Sequence, residues 1–186
     1  MNPSRNVFII GATGAGKTSI GRRLGEHYGC PFIDLDHEIE QHAGASVSTI
    51  FEVEGESGFR KRESTLLEKC SRRQGIILAT GAGAVLASSN REHLAARGFV
   101  VWLQITIEHQ LERLQRDRSR PLLDDGSSRR LRLQVMADER EPLYRALADL
   151  VIANEPGGLD AAAKRCTTMI DAVWLRPDST RAQQRA

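Results

Sequence analysis

The chain has 186 residues, enough for one domain with its own core. Hydrophobic residues make up 40%, charged residues 27% and the formal net charge is +2, values of an ordinary globular protein without a global basic field for nucleic acid. No apolar run approaches the ~18 residues of a membrane span, the N-terminus leaves no room for a signal peptide before the first strand, and the three cysteines (Cys30, Cys70 and Cys166) are spaced like buried, reduced thiols of a cytoplasmic protein.

Asn6–Ile10 is an apolar run of strand length. It leads into Gly11-Ala-Thr-Gly-Ala-Gly-Lys17-Thr18, which fits G-x-x-x-x-G-K-[ST], and Ser19–Tyr28 follows with Ile20, Leu24 and Tyr28 on one helical face. Cys30–Asp36 reads as a short strand ending in two carboxylates, then a polar helical turn runs from His37 to His42. A helical stretch from Val47 to Glu54 is broken at Glu54–Gly58, and a second covers Phe59–Arg73. Gly75–Thr80 is a buried strand that opens into Gly81-Ala82-Gly83. Asn90–Arg97 is a short helix with Asn90 as its N-cap and Gly98 as its stop. Phe99–Leu103 is a buried strand, and Thr106–Leu114 is helical. Gln115–Ser128 turns polar and arginine-rich, which suits a mobile lid over about 113–126. Arg129–Leu147 is helical, with Pro142 marking a boundary between two segments. Leu150–Ala153 is the last strand, Leu159–Leu175 the closing helix, and Arg176–Ala186 a frayed tail.

Apolar strands alternating with helices predict a three-layer α/β/α fold with about five parallel strands. Ligands of such folds gather at the carboxyl ends of the strands. The glycine-rich loop, the Asp34/Asp36 pair and the 81–83 turn all fall there, which points to a single active site in one domain over residues 1–175.

The loop predicts a nucleoside triphosphate. Its backbone N–H groups and the following helix N-terminus cradle phosphate, Lys17 bridges the outer phosphates, and the Thr18 hydroxyl ligates magnesium. The metal also needs an acid at a neighbouring strand end. Gly75–Thr80 ends in Thr80 and Phe99–Leu103 runs on to Gln104, so Asp34 is the acid predicted to serve. Asp36 falls on the same side if the chain stays extended there. It is assigned to orient an acceptor hydroxyl and take its proton, with a helix N-cap as the compatible alternative. Arg60 is placed on the first turn of a helix, where the dipole disfavours a cation, so it calls for an anionic ligand or a nearby acid such as Glu63. The turn at 81–83 allows close backbone approach to a ligand or, more simply, a tight turn. Arginines between Arg113 and Arg120 suit a lid that neutralises a transferring phosphoryl group; interleaved Asp117, Asp124 and Asp125 and the lack of stacking aromatics speak against a nucleic-acid patch. Arg140 supplies a further cation, placed at a helix end, where favourable pairing with the helix dipole is the alternative reading.

Together these motifs resemble the shikimate kinase family, within the P-loop kinases of the nucleoside monophosphate kinase type. The resemblance runs from about Asn6 to Ala172. Its most specific parts are Phe32–Glu40, Ile50–Glu63, Arg120-Pro-Leu-Leu123 and Arg140-Glu-Pro-Leu-Tyr144. It implies strand order 2-3-1-4-5, a shikimate-binding region at about 34–62, and Mg²⁺- and ATP-dependent phosphorylation of the shikimate 3-hydroxyl in aromatic amino acid biosynthesis. By family pattern, the loop residues Gly14, Ala15, Gly16, Lys17, Thr18 and Ser19 bind ATP. Arg113 and Pro156 sandwich adenine, and Arg120 reaches the phosphates from the lid. Thr18 and Asp34 stand near the metal. Asp36 holds the reacting hydroxyl region, Arg60 and Arg140 grip the carboxylate, and Glu63 orients Arg60. Phe51 and Phe59 wall the site, and Gly81, Ala82 and Gly83 line the ring. The resemblance also suggests a monomer. The family has three glycines where this chain has Ala82 in the middle, a residue that adds a methyl group and resists positive φ. A relative acting on gluconate or a nucleotide, and an ATP-binding module without turnover, are the competing expectations.

Overall fold

The computed structural model describes residues 4–115, 126–153 and 158–175. Arg120, Pro156, most of the expected lid and the 176–186 tail lie outside the described residues. The element order is β1 (Val7–Ile10), α1 (Lys17–Tyr28), β2 (Phe32–Asp34), α2 (Leu35–Ala43), α3 (Val47–Ser71), β3 (Ile77–Ala79), α4 (Ser88–Arg97), β4 (Phe99–Gln104), α5 (Ile107–Gln115), α6 (Gly126–Leu147), β5 (Leu150–Ala153) and α7 (Leu159–Val173). The strands form one parallel sheet in the order β2-β3-β1-β4-β5, as the resemblance implies.

Alternation along the strands builds two apolar layers. Phe8, Ile10, Leu78, Val100 and Trp102 face α2, α3, α4 and α6. Val7, Ile9, Ile77, Val101 and Leu103 face α1 and α7. That two-sided burial is why the strands read as continuous apolar runs. Asp34, Ala79 and Ile9 share one row of the sheet, so the ends of β2, β3 and β1 are level.

Four local expectations are corrected. The chain does not stay extended to Asp36: the Asp34 carboxylate accepts from the Asp36 and His37 backbone N–H groups and caps α2, which begins at Leu35. The cap is therefore Asp34, and Asp36 lies in the first turn of the helix. The break at Glu54–Gly58 reduces to one non-helical residue, Gly55 (φ 68°, ψ −179°), so α3 continues across a kink. Arg60 consequently falls in the second turn after the kink, beyond the reach of the dipole argument. Asn90 is not a cap. It is buried within α4, where its amide donates to the Ala84 carbonyl at 2.9 Å. Pro142 does not end a helix: α6 passes through it, held by Leu143, Tyr144 and Leu147 packing on the core, and Arg140 is thus interior to α6.

Candidate active site

The glycine-rich loop leaves β1 and ends at Gly16, the N-cap of α1. Gly14 (φ 79°) and Gly16 (φ 90°) hold conformations that a side chain would strain. No side chain caps α1 and its first turn carries no acid, so its N-terminal N–H groups are arranged as an anion site. Lys17 Nζ crosses the loop and donates to the carbonyls of Gly11 (2.9 Å) and Ala12 (3.0 Å). Thr18 Oγ1 donates to Asp34 Oδ2 at 2.6 Å. Two hard oxygen donors from separate elements thus meet beside the loop. Magnesium characteristically takes one or two protein oxygens and completes its shell with phosphates and water, so this pair fits it.

A cavity of about 420 Å³ runs along the strand ends. Residues 14–19, Asp34, Asp36, Ala82 and Arg113 line it, all of them anticipated from sequence. Arg113 Nη1 donates to the Gly14 carbonyl at 2.9 Å, which lays the guanidinium along the loop. Sequence reasoning missed Thr80 at the end of β3, Ile152 and Ala153 at the end of β5, and Leu159, Ala162 and Arg165 on α7. The strand-end rule applied to β5 would have found Ile152 and Ala153 but not the α7 residues.

Beyond Asp36 and Ala82 the site becomes strongly charged. Glu63 on α3 is buried, its side chain 1% exposed, and accepts from Arg60 Nη1 at 2.7 Å. Arg60 also donates to Glu56, at 3.2 and 3.3 Å. Burial pushes the Glu63 carboxyl above the usual carboxylate range, against the pull of Arg60. Its Oε1 has no hydrogen-bond partner among the described residues. Arg140 on α6 is 13% exposed, and its buried Nε likewise has none. Arg60, Arg140 and Asp36 all act electrostatically on Glu63, so α2, α3 and α6 converge here.

The 81–83 turn lies within this cluster, and its sequence follows from what surrounds it. A Cβ at Gly81 would stand 2.5 Å from Glu63 Oε1 and 2.9 Å from Asp36 Oδ1. One at Gly83 would collide with the Arg60 guanidinium. At both positions the missing Cβ leaves room for these charged side chains. Position 82 is different: its φ is not positive, and Ala82 lines the cavity. Alanine is accommodated without backbone strain. Phe51 stacks on Phe59 with ring centroids 4.5 Å apart. Phe59 is in the core, with Arg60 above its ring at 5.3 Å.

Comparison with known proteins agrees with this geometry. A family profile described as "Shikimate kinase" matches residues 13–171. The chain is 47% identical over 171 residues to a shikimate kinase from Pasteurella multocida, covering 92% of this chain and 98% of that one. It is 45% identical over 175 residues to one from Histophilus somni, covering 94% and 100%. A solved shikimate kinase from Acinetobacter baumannii in complex with shikimate superimposes with a TM-score of 0.85 at 42% identity, covering 90% and 93%. A family model over most of the chain and relatives at 45–47% identity over nearly its whole length show that the chain belongs to the shikimate kinase family.

Proposed function

We propose that this chain transfers the γ-phosphoryl group of Mg·ATP to the 3-hydroxyl of shikimate, giving shikimate 3-phosphate and ADP. The observation that carries the proposal is the junction at Asp36 and Ala82, where the cavity beside the phosphate loop meets the Arg60–Glu63 pair and Arg140. A nucleotide on one side and a compact hydroxylated carboxylate on the other would bring their reacting atoms together there.

The loop N–H groups and the α1 N-terminus bind the ATP phosphates, and Lys17 exchanges its two carbonyl partners for phosphate oxygens. Arg113, lying along the loop, is assigned to the base end. Thr18 and Asp34 would hold magnesium, which when bound neutralises phosphate charge. Arg60 and Arg140 bind the acceptor carboxylate, with Glu63 fixing the Arg60 fork and Gly81–Gly83 bringing backbone against the ring. Asp36 orients the 3-hydroxyl and accepts its proton. The hydroxyl oxygen forms the new bond to phosphorus while the bond from the γ-phosphorus to the bridging oxygen breaks, and ADP carries away that electron pair. Positioning and charge neutralisation supply most of the rate, and the base adds modestly. The proposed working unit is a monomer. No described helix is long and apolar enough to cross a membrane.

The test is ADP release from Mg·ATP with shikimate, with gluconate and with neither. Stimulation by shikimate alone is expected. Stimulation by gluconate, or by neither acid, overturns the acceptor assignment.

A further inference from the structure

The contacts that shape Gly81 and Gly83 come from α2 and α3, but position 82 is held from elsewhere. Tyr144 on α6 is buried, 1% exposed, and its hydroxyl donates to the Ala82 carbonyl at 2.5 Å. Its ring packs against Trp102 of the central sheet, centroids 5.7 Å apart, which fixes where the hydroxyl can reach. Ala82 itself borders the cavity beside Asp36. Because the peptide unit is planar and trans, fixing the Ala82 carbonyl also fixes the Gly83 N–H on the opposite edge of the same plane. Arg140 lies four residues before Tyr144, so α6 presents both on one face. One helix therefore carries a cation assigned to the acceptor and a pin on the backbone against which the acceptor rests.

We infer that Tyr144 is a positioning residue for the acceptor: its hydroxyl bond to the Ala82 carbonyl sets the orientation of the 82–83 peptide that meets shikimate. The inference rests on the proposed function and deepens it. It also accounts for the tolerance of a residue other than glycine at position 82. A turn held by its carbonyl needs no special conformation there, and alanine restricts the unpinned alternatives.

Tyr144→Phe removes the hydroxyl and keeps the ring on Trp102. The expected result is a KM for shikimate raised about five- to tenfold, the net worth of one buried hydrogen bond, with the KM for ATP unchanged. Ala82→Gly alone is expected to raise the shikimate KM by less than Tyr144→Phe does, because the Tyr144 bond still holds the turn. Combined with Tyr144→Phe, it should raise the shikimate KM beyond the product of the single effects, because glycine releases a backbone that is no longer held. A folded Tyr144→Phe with a shikimate KM within twofold of the parent overturns the inference. So does an equal rise in both KM values, which marks a merely structural loss. Should the phenylalanine variant not fold, 3-fluorotyrosine replaces both tyrosines of the parent chain, Tyr28 and Tyr144. The Tyr144 fluorine resonance, assigned through Tyr28→Phe, must then move on adding shikimate and stay put on adding Mg·ATP; a resonance indifferent to shikimate overturns the inference. Failure of the parent chain itself to respond to shikimate would instead sink the proposed function, so the two are separable.

Discussion

Gly81→Ala is the sharpest probe of the acceptor turn. The added methyl would stand 2.5 Å from Glu63 Oε1 and 2.9 Å from Asp36 Oδ1, whereas ordinary contact begins at 3.4 Å. Glu63 must therefore recede by about 0.9 Å and Asp36 by about 0.5 Å; Asp36 has the cavity to move into, whereas Glu63 is enclosed and cannot shift freely. Glu63 cannot move alone, because Arg60 is attached to it at 2.7 Å. Overpacking of this kind costs about 1–3 kcal/mol. At roughly 2–4 °C per kcal/mol for a chain of this size, a mid-range loss lowers Tm by about 4–8 °C. Turnover should suffer more. Displacing Asp36, the carboxylate proposed to orient the acceptor, by about 0.5 Å and the Glu63–Arg60 pair by about 0.9 Å is expected to cost up to about a hundredfold in kcat/KM for shikimate. Thermal unfolding and coupled ADP release measure the two effects on one preparation. A Gly81→Ala protein with Tm within about 1 °C of the parent and kcat/KM within twofold would refute the close-packing account of the turn.

Asp34→Asn should leave α2 intact, since asparagine caps as well as aspartate, while removing the charge beside Thr18. Tm should hold and the Mg²⁺ concentration for half-maximal rate should rise; an unchanged requirement would count against placing the metal there. Arg60→Lys keeps a cation but loses the fork that serves Glu56 and Glu63 together. A rise of about 10–100-fold in the shikimate KM is expected, with the ATP KM unmoved; equal shifts in both would argue against the carboxylate role. Glu63→Gln tests the raised Glu63 pKa through stability. Folded Glu63 keeps its proton to higher pH than the unfolded chain does. Its contribution is thus fully present below the ordinary carboxylate pKa of about 4.3 and is lost as pH rises through the higher folded value. The Tm of the parent minus that of Glu63→Gln should fall as pH climbs across that window, and a flat or rising difference would contradict the shift.

The sheet was legible because its inner strands β1, β3 and β4 are buried on both faces, leaving uninterrupted runs such as Phe99–Leu103. The site was legible where chemistry demands particular residue types, as at Lys17, Thr18 and Asp34. Helix boundaries were harder, because local signals compete with tertiary contacts. Pro142 has the chemistry of a breaker, yet Tyr144 and Leu147 dock α6 firmly enough to carry the helix through it. Asp34 looked like the last strand residue on the way to Asp36, but its carboxylate captures two backbone N–H groups and starts a helix at once. The α7 wall of the cavity stayed hidden because Leu159, Ala162 and Arg165 match no motif; the packing of α7 on α1 and β5 brings them to the site. Tyr144 stood within a recognised motif, but no sequence pattern says which carbonyl its hydroxyl reaches.

The bonds of Lys17 to the Gly11 and Ala12 carbonyls have an energetic consequence. An ammonium surrounded by water must shed that water before it can grip a phosphate. Here much of the dehydration is already incurred when the chain folds, because loop carbonyls have replaced solvent around the charge. On the proposed function ATP then trades one set of oxygens for another, so the step that recruits the lysine is a partner exchange with little solvent reorganisation. The fold carries a burden that would otherwise fall on the nucleotide, and part of the affinity for ATP is stored as foregone stability of the loop.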